Sequence, residues 1–341
     1  MTSQNNARAL VRTVGEVTRW AAKYKIPADH GMSHYARVLG YAKQAKLAGC
    51  TDKQKLAVYL AALLHDVDDR KIKKYLTAVL DALKVQSDEK LSLPLEAAIG
   101  VLEDPAVKAQ RQAAKLDAAF AEATGIPTQI VAGQQAPVEV KKEEKKVSLS
   151  EKYPIAASFL DAHGDTSVLR DLVLEMIDLV SASQNGNRTV KDKWKLVPRD
   201  ADRLDALGKT GVQRCYDYTR SVGNPLCCAD TPLAVNETQL TLIMKGRTLE
   251  DYVKGGGKSA SMMDHFTDKL FHLGTMASED VNLQRIADRE MEPLKAFFFR
   301  TARVLRLIKI TTPLQFSGVE LELSAVEPES PTDYCDNEDE S

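Results

Sequence analysis

The stretch Leu56-Ala57-Val58-Tyr59-Leu60-Ala61-Ala62-Leu63-Leu64-His65-Asp66 decides how this chain is read. Its first nine residues carry too few polar positions for a surface helix, so the segment belongs inside the protein. A histidine and an aspartate at its end then lie close to the interior. Burying a neutral polar group without a partner costs roughly 2–7 kcal/mol, and an unpaired carboxylate costs more. Something positive must compensate, and a bound metal ion is the simplest source.

Outward from that stretch, the 341 residues suffice for one large core or two modest ones. The chain is 44% apolar and only 6% aromatic, with many Ala, Leu, Lys and Glu residues, which predicts an all-α protein. A formal net charge of −2 gives no electrostatic reason to expect nucleic acid or an anionic membrane as partner. No run approaches the roughly 18–20 apolar residues needed to span a bilayer, and the polar start lacks a signal-peptide pattern. The five cysteines (Cys50, Cys215, Cys227, Cys228 and Cys335) are odd in number and scattered. Adjacent Cys227-Cys228 is not a zinc-ligand spacing, so all five read as free thiols in a reducing compartment. The expectation is a soluble cytoplasmic protein, in which the Asn-x-Thr matches at Asn187 and Asn236 go unused.

Helical pattern covers about Ala7 to Ala48, broken at Ile26-Pro27-Ala28-Asp29-His30-Gly31. Thr51 is the expected N-cap of the buried helix, and helical pattern resumes through Lys73–Leu83. Val107–Thr124 reads as a solvated helix. Gly125–Ser150, with the charge block Lys141–Lys146, has no apolar periodicity and reads as a disordered linker or exposed insertion. Order returns at Tyr153, with a helix expected over Ser167–Ser181 and another where Leu204, Leu207 and Val212 form an apolar stripe. Gly223–Thr248 reads as irregular, with a short strand at Gln239–Met244. Ser259–Leu307 is helical, and Pro293 predicts a kink there. The tail Val326–Ser341 holds seven acidic and no basic residues and is expected to be solvated.

His34 opens a helix in Asp29-His30-Gly31-Met32-Ser33-His34-Tyr35-Ala36-Arg37-Val38, and Asp202 sits in a second place where acidic residues invade an apolar helix. The imidazoles of His34 and His65 with the carboxylates of Asp66 and Asp202 would balance a divalent ion and leave positions open for water and a substrate oxygen. Mixed nitrogen and oxygen donors suit Mn²⁺, Fe²⁺, Co²⁺ or Ni²⁺ better than Ca²⁺ or an all-protein Mg²⁺ site. Zinc would more often bring Cys or a third His.

These segments resemble the HD superfamily of metal-dependent phosphohydrolases, whose pattern is His, then His-Asp, then a distant Asp, on a helical core. The segments His34-x-x-Arg37-Val38, Leu63–Lys71, Asp200–Gly208 and Asp264–Leu270, with the late helix Asn282–Arg300, look like the small bacterial-type nucleotide pyrophosphohydrolase branch. The resemblance runs from about Ala21 to Leu307, interrupted by an insertion. It implies an HD domain in two parts, 1–85 and 153–310, an insertion at 86–152 and a flexible acidic tail at 311–341. One departure stands out. The branch usually reads His-Asp-x-x-His at the first segment, whereas this chain has His30-Gly31-Met32-Ser33-His34. His34 keeps the superfamily's spacing to the apolar residue four positions on, and the ligand is assigned there.

The resemblance implies one divalent ion, Mn²⁺ foremost and Mg²⁺ also within range, held by His34, His65, Asp66 and Asp202. The implied reaction cuts a nucleoside triphosphate to a monophosphate and pyrophosphate. A nucleotide phosphomonoesterase or phosphodiesterase would use the same ligands, and a non-catalytic nucleotide-binding or scaffolding protein is the alternative of another class. Asp66 and Asp69 are the expected catalytic acids, Asp69 as general base or holder of the attacking water; the other reading of Asp69 is a cap or exposed acid of the next helix. Lys71, Lys269, Arg37 and Arg203 are the expected phosphate-binding cations, with Arg37 and Arg203 alternatively bracing Asp66, Asp202 or Asp205. Asp68 reads as solvated, Asp200 and Asp205 as structural, His265 as a core histidine, and His163 and His272 as surface residues. Arg188–Lys195 reads as a mobile solvated loop, the alternative being a nucleobase stacked on Trp194. Oligomeric state stays open.

Overall fold

The computed structural model describes residues 3–26, 31–69, 72, 73, 76, 147–181, 188–307 and 314. His30, Lys71, Cys335, the tail 315–341 and most of the insertion lie outside them. The described residues are helical; their β-pairing is an isolated antiparallel bridge between Cys227 and Leu314.

The opening stretch forms the central helix. In chain order α1 spans Ser3–Lys23, α2 Met32–Gln44 and α3 Asp52–Leu64. Thr51 caps α3 as expected: its hydroxyl accepts from the Gln54 N–H, while the Gln54 side chain accepts from the Thr51 N–H. The chain returns as α4 (Leu149–Lys152), α5 (Pro154–Asp161), α6 (Gly164–Ser167) and α7 (Arg170–Val180), then, after a 3₁₀ turn at Lys193–Leu196, α8 (Val197–Asp205). Helices α1, α2, α7 and α8 all pack on α3. Flanked by these four helices, the C-terminal end of α3 has no face to give to water, which is why Leu60 to Leu64 are apolar throughout and fully buried.

A second layer follows: α9 (Gly208–Ser221), α10 (Glu237–Lys245), α11 (Leu249–Lys254), α12 (Met262–Asp268), a 3₁₀ turn Leu270–Gly274, and the 27-residue α13 (Val281–Leu307), which contains Pro293. Phe266, Phe271, Phe297 and Phe298 join α12, the 3₁₀ turn and α13 through ring contacts. Two glycines let α8 turn into α9. Gly208 adopts φ +61°, and a Cβ on Gly211 would meet the Ala206 carbonyl oxygen at 2.1 Å.

Three expectations need correction. Gln239–Met244 is not a strand but lies within α10, started by Asn236, whose side chain accepts from the Gln239 N–H. Ser148 is not part of a linker without structure, because it forms a capping box with Glu151 at the start of α4. Asp68 is not solvated. It is buried and accepts the N–H groups of Ile155 at 3.1 Å and Ala156 at 2.8 Å, so it caps α5 from the far side of the insertion.

Candidate metal centre

The end of α3, the start of α2 and the middle of α8 bring His34, His65, Asp66 and Asp202 together. His65 is the C-cap of α3 in right-handed helical conformation, so its ring stays on the helix's inner side while Asp66 enters the turn that follows. The two Nε2 atoms face each other at 3.2 Å. Asp66 lies against both rings, Oδ2 3.4 Å from His34 Nε2 and Oδ1 3.5 Å from His65 Nε2. Asp202 Oδ1 does the same at 3.6 and 3.5 Å. Both imidazoles are fully buried, whereas the Asp66 and Asp202 side chains are 22% and 35% exposed. Imidazoles form the floor of the cluster and carboxylates its open rim.

The far side of each ring decides what the near side can be. His65 Nδ1 is 2.9 Å from the Ala62 carbonyl oxygen, which can only accept, so Nδ1 carries the proton. His34 Nδ1 is 2.7 Å from Asp205 Oδ2, again an acceptor. In the neutral tautomers both Nε2 lone pairs are therefore bare and aimed at one another. That repulsion is relieved by protons or by a cation shared between the rings and the carboxylates. Metal–donor bonds of about 2.1 Å place neighbouring donors roughly 3.0 Å apart in an octahedral shell and roughly 3.4 Å apart in a tetrahedral one. The observed separations of 3.2 to 3.6 Å match that scale, so the donor set fits a divalent ion. His34, His65 and Asp66 each offer a ligand atom within 4.8 Å of the other two.

Without a cation, protons take that place. Burial lowers the His65 pKa, but Asp66 and Asp202 outweigh it and raise the value to about 9. His34 is likewise raised despite burial, by Asp205 and Asp66. Burial pushes the Asp202 carboxyl up, and the two imidazoles bring it down to about 2.

Asp205 is buried and receives three partners. Besides His34, it accepts from Arg37 Nε at 2.5 Å and from Arg214 Nη1 at 2.5 Å. Burial alone would raise its pKa; His34 and the two arginines hold it below the usual range. Arg37 is thus a brace for Asp205, one of the two roles open to it. Arg203 is buried beside Asp200 and Asp202, and burial lowers its pKa. Asp200 is structural, its carboxylate accepting the N–H groups of Ala277 and Ser278. Asp69 follows the cluster on a tight turn, its N–H bonded to the Asp66 carbonyl at 2.8 Å. Lys269 ends α12 beside Cys215 and His265. His265, within hydrogen-bond distance of Ser259 Oγ, is brought down to about 3 by burial and by Lys269.

His163 and His272 are half-buried rather than surface residues, bonded to Glu16 and to the Thr267 carbonyl respectively. The basic residues around Trp194 are largely paired, Lys193 with Glu279, Lys195 with Glu175 and Arg188 with Asp178. Cys50, Cys215, Cys227 and Cys228 are free thiols. No helix among the described residues is long and apolar enough to cross a membrane. Sequence reasoning missed Arg214 entirely. For Asp205 a signal existed: three residues after Asp202 on a helix, it shares that residue's face.

No family model matches the chain. An uncharacterized protein of Acanthamoeba polyphaga mimivirus is 43% identical over 107 residues, which is 31% of this chain and 44% of that protein. The chain therefore spans less than half the length of that relative. A crystal structure from Lactobacillus plantarum, a structural-genomics target, aligns over 88% of this chain and 98% of its own at 18% identity, with a TM-score of 0.47. Neither description states an activity.

Proposed function

We propose that this chain is an HD-type metal-dependent phosphohydrolase that cleaves nucleoside triphosphates to a monophosphate and pyrophosphate. One observation carries the metal reading: two imidazole nitrogens left bare by their Nδ1 partners face each other at 3.2 Å between two carboxylates. The ordered motifs around His34, His65-Asp66 and Asp202 support the phosphohydrolase reading.

A divalent ion held by His34, His65, Asp66 and Asp202, Mn²⁺ foremost, would supply an activated water and polarise a phosphoryl oxygen. The chain's own residues do the rest. Ala62 and Asp205 keep the Nδ1 protons in place, so both rings present Nε2 as donors of an electron pair. Asp66 and Asp202 set the negative charge at the rim where substrate arrives. Asp69, just beyond the Asp66 turn, takes the proton of the attacking water at its carboxylate. Lys71 and Lys269 are the proposed cations for the leaving pyrophosphate, and Lys71 lies outside the described residues.

The test is a panel of nucleotides incubated with the chain and Mn²⁺, with products identified by phosphorus NMR. Monophosphate and pyrophosphate are expected. Nucleoside and phosphate would assign a phosphomonoesterase instead, and no metal-dependent turnover would favour a non-catalytic binding protein.

A further inference from the structure

His65 is held by α3, but Asp66 lies beyond the end of that helix and needs another hold. Its backbone runs through a tight turn, in which the Val67 N–H donates to the Leu64 carbonyl at 3.3 Å and the Asp69 N–H to the Asp66 carbonyl at 2.8 Å. Val67 is fully buried in the core. Next along the turn comes Asp68, whose side chain is 1% exposed and which has no part in the chemistry above. Its Oδ1 accepts the Ile155 N–H at 3.1 Å and its Oδ2 the Ala156 N–H at 2.8 Å.

Those two N–H groups open α5, which has no cap of its own: Tyr153 at the N-cap makes no side-chain bond, and Pro154 has no N–H to offer. Lys73 completes the joint. Its ammonium lies 3.4 Å from Asp68 Oδ1 and donates to the Lys152 carbonyl at 3.3 Å, while its backbone N–H donates to the Asp69 carbonyl at 2.9 Å. The two sides of the insertion are therefore tied together two residues from a proposed metal ligand. A serine or asparagine at the N-cap would satisfy the same N–H groups locally, without the desolvation cost of several kcal/mol that a buried carboxylate carries. The long-range cap does what a local one cannot. Because α5 packs on α1 and α7, and both of these pack on α3, it fixes the turn relative to the bundle.

We propose that Asp68 is a positioning residue, which pins the turn Asp66–Asp69 to the N-terminus of α5 and so holds the Asp66 carboxylate against the two imidazoles. The proposal rests on the metal reading of the site.

The experiment compares wild type, Asp68→Asn and Asn236→Ala by calorimetric Mn²⁺ titration and by thermal melting of the metal-free proteins. Asparagine keeps the size of aspartate but sets an amide N–H against one of the two backbone N–H groups. Asn236→Ala removes the cap of α10 and controls for the loss of a helix cap alone. Both variants should melt below wild type, but only Asp68→Asn should show a Kd for Mn²⁺ raised about tenfold or more, the range typical of groups that orient metal ligands. A Kd within twofold of wild type in folded Asp68→Asn overturns the proposal and leaves Asp68 as a helix cap. An equal loss of affinity in Asn236→Ala overturns it too, since any loss of stability would then weaken the site. Should Asp68→Asn not fold, Lys73→Gln tests the same joint, because it removes the charge beside Asp68 and leaves both backbone bonds. A Kd raised about threefold, the scale of a partly exposed ion pair, then supports the proposal, and an unchanged Kd overturns it. A wild type that binds no Mn²⁺ overturns the metal reading itself.

Discussion

His34 and His65 aim the same atom at the same point, yet the fold holds them by different means. His65 is oriented by the carbonyl of Ala62, one turn back in its own helix, a partner that no side-chain substitution removes. His34 is oriented by Asp205, 171 residues away, and Asp205 is itself held by Arg37 and Arg214. One arm of the site is thus built into the local backbone and is rigid wherever α3 forms. The other is assembled from three helices, α2, α8 and α9, and depends on ionised side chains. The arm on α3 should tolerate change outside its own ligands, while the arm on α2 should respond to substitutions well behind the site.

The largest effect is expected where both arms converge. Asp66→Ala removes a carboxylate that lies against both rings, and metal-dependent turnover should fall on the order of 10³-fold or more in steady-state assays. Unchanged turnover would sink the mechanism.

Next comes pH. The His65 pKa is raised to about 9 in the folded chain without metal, against 6.5 for the unperturbed group. A raised folded value means that the stabilisation is fully present below pH 6.5 and is lost as pH rises through about 9. Chemical denaturation with chelator present should show a loss of up to about 3 kcal/mol between pH 6 and pH 10. Mn²⁺ affinity should run the opposite way, since bound protons compete with the ion.

Asp205→Asn separates the arms directly. An amide can offer its N–H to His34 Nδ1 and so favour the tautomer with a proton on Nε2, the wrong one for a metal ligand. Mn²⁺ affinity should fall about 10–100-fold with the helical content retained in circular dichroism. The smallest effect belongs to Arg37→Gln, because Arg214 still holds Asp205. A change in Mn²⁺ affinity below about tenfold is expected, the scale of one ordinary hydrogen bond. A larger loss than in Asp205→Asn would mean that Arg37 serves the site by another route.

The contrast also explains what could be read from the sequence. The α3 arm was legible because its signals are local: an apolar run too uniform for a surface, an N-cap at Thr51, and a His-Asp pair at the end. The convergence of His34 and Asp202 on that pair came only from the resemblance of ordered motifs, since nothing in composition brings residues so far apart together. Asp205 was legible as structural, with Arg37 open as its brace, but its link to Arg214 was not, because the turn at Gly208 that aims α9 leaves no trace in hydrophobic pattern. Asp68 was misread as solvated because its partners, Ile155 and Ala156, lie 87 and 88 residues further on. Gln239–Met244 was misread as a strand because its run of Leu, Ile and Thr outweighed the cap at Asn236.

The central claim is that His34, His65, Asp66 and Asp202 form one divalent-metal site. Equilibrium titration of the purified chain with Mn²⁺ near neutral pH, followed by electron paramagnetic resonance of the free ion, tests it most directly. One tightly bound ion per chain, lost in Asp66→Ala, is the predicted result. Wild type and Asp66→Ala binding the same number of ions with the same affinity, or neither binding any, would contradict it.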